Sequence, residues 1–367
     1  MKNIGVIGIG KLGLCFALNL ERSGFNVHGT DISKDYTSAL NDKTFFSHEP
    51  QVNEMLRTAN NFTAGTSIAD LLNDDYDLLF ICVATPSNIK GGYEHSQVER
   101  VADELIKFGV RERQIHLVIV CTVTPGYCDQ LAEKLAPFNY TVTYNPEFIA
   151  QGNIVHNQLY PDQILIGEAN TEAGNKVESV YKALCKNKPA VHRMDRLSAE
   201  ITKLATNCFL TTKIAFANSI GDLATTVGAD ANKILAAVGA DSRVGEKYLK
   251  YGFGFGGPCL PRDNRALGYF AETQNFDLPL GKSTDELNRQ HLLFQVEQYL
   301  KKYAANEVID MGSVTFKEDS VMLDESQKLL LAVSLAKAGR KVRITDKQIV
   351  IDEINKLYPG VFETVAS

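Results

Sequence analysis

Six residues near the start, Gly8-Ile9-Gly10-Lys11-Leu12-Gly13, constrain the fold of this chain more than any other feature. They follow an apolar run, Asn3–Ile7, and open a segment with helical patterning, Lys11–Ser23. In a strand–turn–helix unit of this kind the first glycine permits the tight turn. The second lets the backbone meet a pyrophosphate, and the third packs helix against strand. The free N–H groups and positive dipole end of the helix then face the phosphates. Asp31 lies eighteen residues after Gly13, at the end of the next apolar run. A carboxylate there accepts from both ribose hydroxyls and repels a 2′-phosphate, which favours NAD over NADP. The glycines by themselves would also fit a ligand-free βα turn; strand, helix and Asp31 together point to a dinucleotide site.

The rest of the first half alternates β-rich apolar runs with helical segments, as a parallel sheet covered on both faces does. The expected strands are Asn3–Ile7, Val27–Asp31, Leu78–Ala84, Leu117–Val123, Thr141–Tyr144 and Ile164–Gly167, with helices such as Lys11–Ser23 and Pro125–Leu135 between them. Leu197–Val227 contains no proline, and Gly221 is its only glycine. As a helix it would be about 46 Å long, enough to leave one domain and found another. A glycine-rich loop, Tyr251 to Pro261, follows, and a small βα pattern closes the chain: strand Val308–Met311, helix Glu325–Ala338 with Gly339 as its C-cap, strand Val342–Thr345. The expectation is an α/β protein of three parts: a Rossmann-type dinucleotide-binding domain (1–196), the long connecting helix with a helical middle domain carrying the cysteine loop (197–300), and a smaller C-terminal α/β domain (301–367).

A formal charge of −6 argues against a nucleic-acid partner or an anionic membrane surface. No apolar run reaches the roughly 20 residues that span a bilayer, and Met1-Lys2-Asn3 leads straight into a strand without a cleavable signal. Seven cysteines without regular spacing do not form a disulfide framework. Cys15, Cys82, Cys121 and Cys208 read as small core residues, and Cys128 and Cys185 fall on expected helices. A reducing compartment, the cytoplasm, is the expected location. No metal site is expected.

Cys259 has a different neighbourhood, with glycines before it, prolines on either side, and Arg262 and Asp263 just behind. Glycines allow close approach to a ligand and prolines fix the loop's shape. A nearby cation would activate the thiol as a nucleophile; a small buried residue in a turn fits the same spacing. On the connecting helix, Glu200, Lys203, Asn207 and Thr211 fall within an arc of about 80°, with Ile201, Ala205, Cys208 and Ala215 to one side, able to pack inward. Spacing alone would equally describe a solvated polar stripe. In Tyr144-Asn145-Pro146-Glu147-Phe148, Glu147 is either a site carboxylate or part of a strand-ending turn.

Taken together these segments resemble the UDP-glucose/GDP-mannose 6-dehydrogenase family. Besides the glycine turn, the resemblance is carried by Ala84-Thr85-Pro86, Thr122-Val123-Thr124-Pro125-Gly126 and Asn145-Pro146-Glu147-Phe148. It continues in Ala199-Glu200-Ile201-Thr202-Lys203 with Asn207, in Asp241-Ser242-Arg243-Val244-Gly245, and in Gly254-Phe255-Gly256-Gly257-Pro258-Cys259-Leu260-Pro261-Arg262-Asp263. It implies oxidation of the C6 alcohol of a nucleotide-sugar to a carboxylate with two NAD, through a thiohemiacetal and a thioester on Cys259. Lys203 and Asn207 would stabilise oxygen charge at C6. Asp263 and Thr122 would orient water, and Glu147 would be the base for hydrolysis. The cofactor set is the six residues of the glycine turn with Asp31, Thr85, Thr122 and Arg262. Phe148, Lys203, Asn207, Tyr248, Phe253, Phe255 and Gly256 would contact the nucleotide-sugar, Lys317 from the third domain, and Arg243 across the interface of a homodimer. UDP-glucose is the leading substrate. A UDP-N-acetylhexosamine or GDP-mannose is the alternative, and a non-catalytic NAD-binding protein is the reading from another class.

Four positions depart from the family pattern. Gln151 replaces a usual glutamate, Gln163 a usual arginine, Arg262 the common lysine after Leu-Pro, and Asp324 an arginine. If positions 151 and 163 face each other, two amides remove the charge on both partners at once and can hydrogen-bond each other.

Overall fold

The computed structural model describes residues 2–72, 76, 78–149, 152–317 and 320–367. Its contacts divide the chain into two compact units, Met1–Lys203 and Leu204–Ser367.

In chain order the first unit contains β1 (Asn3–Ile7), α1 (Lys11–Arg22), β2 (Asn26–Thr30), α2 (Lys34–Asn41), α3 (Val52–Thr58), β3 (Phe62–Gly65), β4 (Leu78–Ile81) and α4 (Ser96–Lys107). It continues with β5 (Ile115–Ile119), α5 (Tyr127–Leu135), β6 (Tyr140–Tyr144), α6 (Ile154–Leu159), β7 (Gln163–Gly167), α7 (Thr171–Leu184) and β8 (Ala190–Met194). α8 (Arg196–Val227) carries residues of both units. The strands form one sheet in the order β3-β2-β1-β4-β5-β6-β7-β8. Its first six positions are the dinucleotide-binding order, with the chain reversing direction between β1 and β4.

The central strands β1, β4 and β5 are buried on both faces because helices cover both sides of the sheet. Leu78 and Phe80 of β4 join Ile4 and Val6 in the core beneath α1, while Leu79 and Ile81 join Ile7 in the core beneath α4 and α5. Burial on both faces of a strand therefore produces a continuous hydrophobic run in place of an alternating one.

Three expectations need correction. The sheet is not wholly parallel: β6 and β7 pair antiparallel through Tyr144 and Gly167. The six-residue α6 between them packs back on α1, where Asn19 meets Gln158, and so does not complete a parallel crossover. Two strands, β3 and β8, were not expected. One is four residues ending in glycine, and the other is a largely exposed edge without apolar alternation. The strands at Leu78 and Leu117 stop at Ile81 and Ile119, short of Ala84 and Val123. Their last expected residues form the loops above the sheet.

The second unit contains α9 (Ala231–Ala240), α10 (Leu260–Thr273), α11 (Leu280–Lys302), β9 (Val308–Asp310), α12 (Gln327–Lys337), β10 (Lys341–Asp346), α13 (Gln348–Leu357) and β11 (Glu363–Ala366). β9, β10 and β11 form a parallel sheet around Ile309, Leu331, Val342, Ile344 and Ile354. α13 and β11 extend the expected βα pattern by one more unit. α12 starts at Gln327 rather than Glu325, because the Ser326 hydroxyl accepts from Leu329 N–H as the N-cap. Gly221, interior to α8, makes room for Tyr251: a Cβ there would lie 1.9 Å from that ring. Among the described residues no helix is long and apolar enough to cross a membrane.

Candidate active site

The glycine turn has the shape its sequence demands. Gly8 has φ +86°, a left-handed conformation that favours glycine, and a Cβ on Gly13 would stand 2.1 Å from the Gly8 carbonyl oxygen. A Cβ on Gly10 would meet nothing within 4 Å, so this glycine opens onto free space. α1 begins there with no side-chain cap and no acidic residue in its first turn, and its end N–H groups are directed at that space. This cradle fits a pyrophosphate. Asp31, just past β2, directs one carboxylate oxygen to Ser33 N–H at 3.1 Å. Tyr36 of α2, which sequence reasoning missed, donates its hydroxyl to the Ile9 carbonyl at 2.7 Å and fixes the turn from outside.

The loops after β4 and β5 hold the next group. Thr85 is buried and donates its hydroxyl to the Thr122 carbonyl at 2.7 Å. His95 Nε2 accepts from Thr124 N–H at 3.2 Å, with its ring stacked 3.8 Å from that of Tyr127. Burial holds this histidine at a pKa of about 4, so it stays neutral and able to accept. Glu200 anchors the same loop: its carboxylate accepts from Gly126 N–H at 2.5 Å and Cys128 N–H at 2.9 Å. It is fully buried, its pKa is raised by burial, and it caps the start of α5. Nothing local in the sequence marks His95 or Glu200 for this task, since their partners lie 29 and 74 residues away.

All four polar residues of the α8 stripe, Glu200, Lys203, Asn207 and Thr211, are buried. The stripe is an inward face, not a solvated one. Ala205, expected to pack inward, is exposed, whereas Leu204 and Cys208 are buried. Lys203 donates to the Glu147 main-chain carbonyl at 2.8 Å and lies 4.5 Å from the centre of the Phe148 ring. Glu147 lines a cavity together with Asn145, Gln158, Gln163 and Tyr181, and its carboxylate accepts from the Gln158 amide at 3.3 Å. Burial pushes its pKa up to about 7, against the Gln158 amide and the Lys203 charge, which both lower it. A carboxylate poised near neutrality suits general-base chemistry. Gln163 therefore shares a cavity with Glu147; Gln151 lies outside the described residues.

In the second unit, Cys259 is the N-cap of α10 and the one exposed cysteine of seven, none of which forms a disulfide. It therefore stands at the positive end of the helix dipole. Buried Asp263, one turn on, accepts from Asn207 at 2.6 Å and lies 3.8 Å from the Arg262 guanidinium. The loop before the cysteine is clasped by Asn288 of α11, which sequence reasoning also missed: it bonds both N–H and C=O of Phe255 at 2.9 Å. Cβ atoms at Gly254 and Gly256 would collide with Asn288 and with the Glu325 carbonyl. Phe255 is buried; Phe253 is exposed, with Lys328 5.5 Å from its ring. Arg243 pairs with Asp241 at 2.7 Å and remains 86% exposed. Tyr248 is exposed at φ +66°, and Lys317 is also exposed. The Asp324 carbonyl accepts from Gly257 N–H at 3.0 Å.

Comparison with known proteins agrees with this geometry. Residues 2–185 match the model of the UDP-glucose/GDP-mannose dehydrogenase family, NAD binding domain, and residues 197–290 match its central domain. A UDP-glucose 6-dehydrogenase of Pseudomonas aeruginosa is 31% identical over 357 residues, covering 93% of this chain and 78% of the relative. A GDP-mannose 6-dehydrogenase of the same organism is 29% identical, covering 94% of this chain and 81% of the relative. The structure of a UDP-glucose dehydrogenase from Pyrobaculum islandicum superposes with a TM-score of 0.89 at 26% identity, over 100% of this chain and 86% of that one. With both family models matched and a relative 31% identical over 93% of its length, the chain belongs to the UDP-glucose/GDP-mannose dehydrogenase family and is an NAD-dependent dehydrogenase.

Proposed function

We propose that this protein oxidises the C6 alcohol of UDP-glucose to the carboxylate of UDP-glucuronate. The observation that carries the proposal is Cys259: the only exposed thiol, it sits at the positive end of α10 within the motif shared with the family. Bound NAD supplies the hydride acceptor for each of two oxidations. The α1 N-terminus and Asp31 bind the cofactor, with Thr85, Thr122 and Arg262 in supporting positions. Lys203 and Asn207 stabilise negative charge on the C6 oxygen. The Cys259 thiolate adds to the aldehyde carbon, so the aldehyde is held as a thiohemiacetal whose oxidation leaves a thioester. Glu147 takes a proton from water, oriented by Asp263 and Thr122; the water oxygen joins the thioester carbon and the C–S bond breaks, returning the thiolate. Phe148, Tyr248, Phe253, Phe255, Gly256 and Lys317 contact the nucleotide-sugar, with residues 301–367 as its nucleotide-binding part.

The protein acts as a homodimer in the cytoplasm, with Arg243 reaching the partner's substrate. Phe209, Phe216 and Leu223 support a dimer: they lie seven residues apart on α8 at 61%, 44% and 60% exposure, one apolar stripe of the kind that marks an interface. Sedimentation of the protein and of a Phe216→Glu variant tests this; a monomeric parent refutes it. For substrate, NADH formation is measured with UDP-glucose, UDP-N-acetylhexosamines and GDP-mannose. UDP-glucose is expected to give the highest kcat/KM and two NADH per sugar. GDP-mannose as the best substrate overturns the choice of sugar, and no turnover with any of them overturns the enzyme reading.

A further inference from the structure

Glu147 is held by a buried relay of two amides. Its Oε1 accepts from Gln158 Nε2 at 3.3 Å. Gln158, on α6, is 2% exposed, and its own Oε1 accepts from Asn19 Nδ2 of α1 at 2.9 Å. Asn19 is as deeply buried and also reaches the Val155 carbonyl at 3.4 Å. These contacts fix the orientation of the Gln158 amide. Reversed, it would set oxygen against the Glu147 carboxylate and NH2 against the NH2 of Asn19, two repulsions away from water.

We propose that Gln158, locked in one orientation by Asn19, is the positioning residue that holds the Glu147 carboxylate in place for hydrolysis. The inference rests on the reading of Glu147 as the base of that step. An amide N–H binds a carboxylate more strongly than a carboxylic acid, so the relay lowers the pH at which Glu147 can accept a proton. The other groups around Glu147 do not duplicate this. Cys15 of α1, Cys82 after β4, and Tyr181 and Cys185 at the end of α7 are all pushed up by burial, and so stay neutral near pH 7. Lys203 supplies the nearby positive charge, and the Lys11–Glu49 pair stands at the start of α1. Gln158 can therefore be removed without altering the charge around the acid.

The test uses the full chain and two variants. Gln158→Met keeps the side chain's length but removes its N–H, and Asn19→Leu leaves Gln158 in place but free to turn. Glu147 is titrated by infrared difference spectroscopy, using the carboxyl band that disappears in Glu147→Gln. Separately, decay of the acyl adduct on Cys259 is followed by quenched-sample mass spectrometry after mixing with UDP-glucose and NAD across pH. In Gln158→Met both the infrared midpoint and the acid limb of adduct decay are expected to rise by about one pH unit. Asn19→Leu is expected to move them by less, in the same direction. An unmoved midpoint in Gln158→Met, with reduced thermal stability alone, means that Gln158 only packs, and it overturns the inference. Should that variant not fold, an unmoved midpoint in Asn19→Leu does the same. A midpoint that rises while the decay limb stays in place supports the relay and overturns Glu147 as the base.

Discussion

Asn207 donates its side-chain amide to the Asp263 carboxylate at 2.6 Å, joining α8 to the helix that begins at Cys259. Both side chains are buried, so this bond to a carboxylate carries more weight than a surface contact. Asn207→Ala is expected to destabilise by about 1–3 kcal/mol, because the carboxylate loses a donor where water does not replace it. Asn207→Asp, which sets a second carboxylate against the first, should cost more. Denaturant unfolding of both variants gives the ranking, and equal losses would contradict it.

The three glycines of the cofactor turn should separate folding from binding. Gly13→Ala drives a Cβ into the Gly8 carbonyl and is expected to lose at least about 1–3 kcal/mol. Gly10→Ala meets no protein atom and should change stability by no more than about 0.5 kcal/mol. It should nevertheless raise the KM for NAD on the order of tenfold, since the methyl enters the space meant for phosphate. Thermal unfolding and NAD titration of the two variants check the contrast.

Cys259→Ser is expected to lower acid formation on the order of a thousandfold, because a hydroxyl is a poorer nucleophile and its ester a poorer leaving group. NAD affinity, which depends on the other unit's glycine turn, should be unchanged. Initial rates and NAD titration on one preparation measure both.

Hydrolysis should quicken as pH rises through about 7, where Glu147 loses its proton and becomes a base. The stability effect has the opposite sign. This carboxyl is raised in the fold from 4.5, so its contribution is fully present below pH 4.5 and is lost as pH rises through 7. Glu147→Gln should flatten both profiles and leave a covalent adduct on Cys259, detectable as added mass on that peptide.

NADP should be a poor cofactor, because a 2′-phosphate would meet the Asp31 carboxylate. Asp31→Ala is expected to narrow the ratio of the two kcat/KM values, mainly through a lower value for NAD. Steady-state kinetics with each cofactor provide the comparison.

The turn at Gly8 and the helix α8 were legible in the sequence because each is set by contiguous residues: a glycine requirement in one, a long run without proline in the other. The strands with two buried faces were legible for the same local reason. β8 was not, since its residues are mostly exposed and alternate in no pattern, and neither was the antiparallel pairing of β7, which depends on where α6 packs. In the site, Cys259, Lys203 and Asn207 could be read from motifs. Their supports could not. Glu49 binds the N–H groups of Gly152 and Ile154 across more than 100 residues, and Glu200 reaches the start of α5 across more than 70. A buried carboxylate at a distant helix end leaves no trace in spacing.

Asp31 has one further consequence. One of its oxygens serves the chain itself, at the Ser33 N–H just before α2, and α2 carries the Tyr36 hydroxyl that holds the Ile9 carbonyl. The residue proposed to discriminate between cofactors thus also ties down the chain just before α2, beside the turn that receives either one. Deleting this charge removes a repulsion toward a 2′-phosphate and the Ser33 contact together. A change of cofactor at this position would accordingly also be a change in how the chain enters α2.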